Sequence, residues 1–125
     1  AGWHLRNARE ISGTIDQYRN YIQRSRGEWS IAKNGYVNTR SGWFSDRSAA
    51  YLASGRPVIL QSTGYEDWLC TGHGLLSFHT LEEAAAAIEI VNGDLKAHSK
   101  AASDVAVEYF DSDKVLQKLL DVVAG

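Results

Sequence analysis

Residues 41–64 read SGWFSDRSAAYLASGRPVILQSTG, and their order decides the fold. Ser45 stands where a helix N-cap belongs and Asp46 falls in the positively polarised first turn. Ala49, Leu52 and Ala53 make a small apolar face that Gly55 ends. PVIL follows, a continuous apolar run with the only proline at its first position, which suits a strand covered on both faces as in a parallel sheet. QSTG then supplies turn chemistry. A glycine loop, a short helix, a buried strand and a second glycine loop in that order imply an α/β layer structure.

The flanking sequence extends this pattern. Upstream, Thr14 and Gln17 form a capping box for a helix carrying Ile15, Tyr18 and Ile22 on one face, with Gly27 as its stop. EWSIA, Glu28 to Ala32, alternates as a strand, and KNGYVNTRSGW reads as a polar loop holding Lys33 and Arg40. Downstream, GLLSF makes another strand, and Thr80 with Glu83 caps the helix LEEAAAAIEIV, which Asn92 and Gly93 close. Two further helices follow, the first with Leu95, His98, Ala102 and Val105 in register, the second capped by Asp111 and carrying Val115, Leu116, Leu119, Leu120 and Val123. GWHL near the start is a candidate extra strand. The expected fold is therefore α/β and Rossmann-like: a small parallel sheet of about three or four strands with flanking helices and right-handed crossovers. A sheet so small leaves an edge that needs covering.

At 125 residues the chain fits one domain, residues 1–125, and its 44% apolar and 22% charged shares are ordinary for a globular protein. A net charge of −2 and a pI near 6.1 give no general field for a polyanion, so neither nucleic acid nor an anionic membrane is an expected partner. One cysteine, Cys70, excludes an internal disulfide, and no signal or spanning segment is visible. The expected location is cytoplasmic. The first residue, Ala1, suggests a processed product or a piece of a longer chain.

In open α/β sheets ligands bind beyond the carboxyl ends of the strands, where helix N-termini point free amides outward. The loop from Lys33 to Asp46 meets that description. Gly42 allows close backbone approach, Ser41 and Ser45 offer hydroxyls, the helix after Ser45 adds its dipole, and Lys33, Arg40 and Arg47 add charge. These features favour a phosphate or diphosphate. The same residues also fit a plain turn, with solvated bases and with Trp43 and Phe44 in the core. The Walker loop, the G-x-G-x-x-G fingerprint and the G-x-S-x-G elbow are absent. Cys70, His73 and His79 match no common zinc spacing, His98 reads as a hydrogen-bonded core residue, and Glu66 with Asp67 reads as a polar loop rather than an acid–base couple.

Three stretches carry a resemblance: YRNYIQRSRGEWSIAKNGYVNTRSGWFSDRSAAYLASGRPVILQSTG, TGHGLLSFHTLEEAAAAIE and HSKAASDVAVEYFDSDKVLQKLL. Together they resemble the C-terminal, donor-binding part of bacterial glycosyltransferases with the GT-B fold, over nearly the whole chain. The resemblance implies two Rossmann-like domains in the parent enzyme, with this portion holding a nucleotide-sugar donor and no bound metal. It implies that Ser41, Gly42, Ser45, Asp46 and Arg47 lie near the donor diphosphate and that Gln61, Ser62, Thr63 and Gly64 lie near the sugar. Lys33 becomes a candidate for stabilising the leaving diphosphate. Relatives commonly read Q-D-T-G where Ser62 stands here, and L-P-T-G-E-G where Cys70 and His73 replace the proline and the glutamate. Without an acceptor domain the chain is expected to be inactive alone, its partner being a missing N-terminal domain. The other reading is a non-catalytic module that self-associates, by default as a homodimer, around a vestigial site.

Overall fold

A computed structural model describes residues 2–125. Its elements are α1 (Ala8–Ser12), α2 (Ile15–Arg24), β1 (Glu28–Ser30), α3 (Asn34–Asn38), α4 (Asp46–Ala53), β2 (Val58–Gln61), a 3-10 turn (Tyr65–Asp67), β3 (Leu75–Phe78), α5 (Leu81–Gly93), α6 (Leu95–Tyr109) and α7 (Ser112–Ala124). The strands form one parallel sheet in the order β1-β2-β3, with Glu28 opposite Val58 and Val58 opposite Leu75. The fold is thus the small Rossmann-like α/β sandwich that the sequence implies.

Alternation along β2 explains its unbroken apolar run. Val58 and Leu60 face a core shared with Ile22, Tyr51, Leu52 and Ala102, from α2, α4 and α6, with Tyr65 of the 3-10 turn and with Leu75 of β3. Ile59 faces the opposite way, onto Leu76, Phe78 and the Ala84, Ala87 and Val91 stripe of α5. A strand buried on both faces has no position for a polar residue until it reaches the sheet's end, where Gln61 sits.

Gly74, just before β3, has φ +75°, and a Cβ there would stand 2.3 Å from the Ala102 backbone nitrogen of α6. No residue with a side chain fits that approach. The same junction explains His98, which is buried and accepts the Gly74 N–H through Nδ1 at 3.1 Å. The expected hydrogen-bonded core histidine is what the fold contains, with its proton on Nε2.

Several boundaries differ from expectation. GWHL forms no strand, and β1 stops at Ser30 rather than Ala32. α2 ends at Arg24, where Ser25 turns extended before Gly27 is reached. α5 runs through Asn92 and Gly93, and Asp94 both ends it and caps α6 by accepting the Ala97 N–H. The polar loop after β1 contains a short helix, α3, and Tyr65–Asp67 forms a 3-10 turn. No helix among the described residues is long and apolar enough to cross a membrane.

Candidate functional site

A cleft of about 220 Å³ opens beyond the carboxyl ends of β1 and β2. Ser30, Ile31, Ala32 and Lys33 leave β1 along one side, Leu60 and Thr63 come from the end of β2, and Ser45 and Arg47 come from the start of α4. Tyr36 and Trp43 form the remaining wall, their rings stacked with centroids 5.1 Å apart and planes 18° from parallel. The site sits where parallel-sheet geometry leaves a crevice.

Charge enters the cleft through two side chains. Lys33 makes no ion pair among the described residues. Arg47 is held from beneath: its Nε donates to Glu28 Oε1 at 2.6 Å and its Nη2 donates to Ser30 Oγ at 2.8 Å. The Glu28 side chain is 6% exposed while that of Arg47 is 48% exposed, so a buried carboxylate anchors a guanidinium that reaches the surface. The bond to Glu28 raises the Arg47 pKa further. Burial pushes up the hydroxyl pKa of nearby Tyr18; the Arg47 charge opposes that rise and the Glu28 charge adds to it.

Lys33, Ser45, Arg47 and Thr63 of the expected site therefore share one cleft. Thr63 is fully buried there, and its hydroxyl donates to the Trp43 carbonyl at 2.6 Å, fixing the aromatic wall. The other expected residues do structural work around it. Arg40 lies outside the lining, at φ +47°, with its guanidinium 3.3 Å from Asp67 and packed over Gly64. The Gly42 N–H donates to the Thr63 carbonyl at 2.8 Å and its carbonyl accepts the Trp68 indole N–H at 3.2 Å, so both backbone groups are already bonded within the chain. Ser41 Oγ accepts the Trp43 N–H. Gln61 Oε1 accepts the Ala32 N–H, tying β2 to the chain leaving β1, and Ser62 Oγ accepts the Gly64 N–H.

The opening of α4 also differs from expectation. Ser45 Oγ and Asp46 Oδ1 both accept the Arg47 N–H, at 3.2 and 2.9 Å. The helix dipole is already met by the chain's own oxygens, one of them charged. Positive charge in the cleft comes from the Lys33 and Arg47 side chains instead.

Sequence reasoning missed Ser30, Tyr36 and the cleft role of Trp43. The core alternative holds for Phe44, which packs on Tyr65 and Phe110, but not for Trp43, which is 50% exposed. The available signal was the spacing of two aromatic residues around a glycine loop, and only the turn of α3 brings them face to face. Glu66 and Asp67 are not a couple: Asp67 pairs with Arg40, while burial opposes ionisation of Glu66 and the hydroxyls of Ser62 and Ser77 outweigh it, leaving its pKa lowered. No group of three His, Cys, Asp or Glu side chains among the described residues could hold a metal ion. A scan against protein-family models, a search of curated proteins and a search of solved structures each find no match to this chain.

Proposed function

We propose that this chain is the donor-binding portion of a glycosyltransferase of the GT-B kind, its cleft taking the diphosphate region of a nucleotide sugar. The observation that carries this reading is the cleft beyond β1 and β2, with the Lys33 and Arg47 cations beside a stacked Tyr36–Trp43 wall. Two cations suit a diphosphate, and Arg offers the planar fork that phosphate oxygens match. An aromatic wall suits a sugar or base face. The cleft is smaller than the roughly 300–1,000 Å³ of sites that enclose a drug-sized ligand, so it fits one part of such a donor. Transfer also requires an acceptor held in line with the donor, and turnover is not assigned to this chain alone.

Calorimetric titration with uridine, guanosine and thymidine diphosphate sugars tests the reading. Heat is expected with at least one donor. Lys33→Ala should weaken binding, and Arg40→Ala, whose side chain does not line the cleft and is paired with Asp67, should not. Absence of heat with every donor at millimolar concentration would overturn the reading.

A second reading, a self-associating module with a vestigial site, has its own observation. α7 buries none of its residues, and Val115, Leu116, Leu119, Leu120, Val122 and Val123 are each 47–79% exposed. Light scattering across a concentration series decides it, since a constant monomer mass removes this reading.

A further inference from the structure

We propose that Glu28 is a positioning residue: through its buried ion pair it presents the Arg47 guanidinium to an anion in the β1–β2 cleft. The proposal rests on the donor-binding reading above and names the device that readies its cationic wall.

The geometry is asymmetric. Glu28 opens β1 and is buried, at 8% exposure, yet among the described residues its one side-chain partner is Arg47, since Oε2 has none. Glutamate is among the residues least often buried unless paired, so this pair must form whenever the sheet and α4 are assembled. Arg47 engages Glu28 through Nε and Ser30 through Nη2. Those contacts fix the guanidinium plane while leaving the Nη1 protons and one Nη2 proton uncommitted. A guanidinium held along one edge offers the other as a ready fork for two oxygens of an anion.

The alternative role for a carboxylate beside a cationic cleft is to cancel its charge. The two roles predict different variants. If Glu28 only neutralised Arg47, removing its charge in any form would strengthen anion binding. If it positions Arg47, an acceptor must remain: Glu28→Gln can still accept the Nε–H, whereas Glu28→Leu fills similar space and cannot.

The experiment combines NMR of the arginine side chains with titration by inorganic pyrophosphate. In the wild type, the Arg47 Nε–H should give a resolved, slowly exchanging signal; Glu28→Gln should keep it and Glu28→Leu should lose it. Pyrophosphate affinity should fall about tenfold in Glu28→Leu, the range expected for loss of a charge-assisted hydrogen bond, and stay within about threefold of wild type in Glu28→Gln. Dispersed amide spectra confirm that each variant is folded, and Glu28→Gln carries the test if Glu28→Leu is not. A protected Nε–H or unchanged affinity in folded Glu28→Leu overturns the positioning role, as does loss of the Nε–H signal in Glu28→Gln. A wild type that shows the protected Nε–H but binds no pyrophosphate overturns the donor-binding reading, and with it the anion-presenting role, while leaving the ion pair as a feature of the fold.

Discussion

His98 commits its Nδ1 lone pair to the Gly74 amide, at the point where β3 approaches α6 too closely for any side chain. Replacing it by leucine leaves a buried N–H without an acceptor, so His98→Leu should cost about 1–3 kcal/mol. Urea denaturation monitored by circular dichroism measures this, and an unchanged midpoint would refute the assignment. Glu66 gives a pH-dependent counterpart. Its folded pKa lies below the ordinary 4.5, so the folded state binds its proton less readily than the unfolded chain. The resulting stability is present above pH 4.5 and is lost as pH falls through the lowered value. Wild type minus Glu66→Gln should therefore show a stability difference that shrinks on acidification below pH 4.5, measured by denaturation at stepped pH. Legibility at this scale followed locality. Ser45 was readable because a cap acts on its own helix, whereas Arg40 and Gly42 are governed by Asp67, Thr63 and Trp68, more than twenty positions away in the chain.

Four helix beginnings were read correctly from a short polar side chain: Thr14, Ser45, Thr80 and Asp111 each accept an amide from the first turn they open, whereas the caps at Asn7, before the unexpected α1, and at Asp94 were not read. Thr80 Oγ1 accepts the Glu83 N–H at 3.2 Å, and Glu83 reaches back to the His79 N–H at 2.6 Å, one residue before the expected partner of a capping box. Thr80→Ala should destabilise the protein by about 1 kcal/mol, and Thr80→Asp, which keeps the acceptor, should recover most of it. Thermal unfolding of the pair distinguishes a capping effect from a loss of volume. Helix ends were less legible. Asn92 and Gly93 look like a stop, yet α5 continues to Gly93 because Asp94 can turn the chain and cap α6 at once. α3 was invisible for a different reason: NGYVN has poor helix propensity, and its turn is supported by Lys33 carbonyl bonds and by the Tyr36–Trp43 stack, a tertiary contact. Since that stack is one wall of the cleft, the element hardest to read was also the one that shapes the site.

Across the whole molecule, the sandwich follows from three short apolar strands set among amphipathic helices, but what covers its outer surfaces does not. β1 and β3 are both edge strands. Trp29 on β1 is 40% exposed, with the rings of Trp3 and Phe78 at 6.4 and 6.0 Å. α7 adds a second apolar surface whose stripe spans Val115 to Val123. The self-association reading makes a graded prediction from that surface. Six partly exposed Val and Leu side chains per copy give an interface at most near the lower limit of stable ones, roughly 1,200 Å² in total. An interface at that limit gives a weak complex, so the mean mass from light scattering should rise gradually over the micromolar to millimolar range rather than sit at twice the monomer mass throughout. Leu116→Lys with Leu119→Glu should hold the mass at that of one chain. Because neither residue belongs to the β1–β2 cleft, the same double variant should bind pyrophosphate as the wild type does at low protein concentration. Persistent association in this variant would place the contact elsewhere, on the Trp29 edge first, and a common loss of association and anion binding would mean that the two surfaces are not independent.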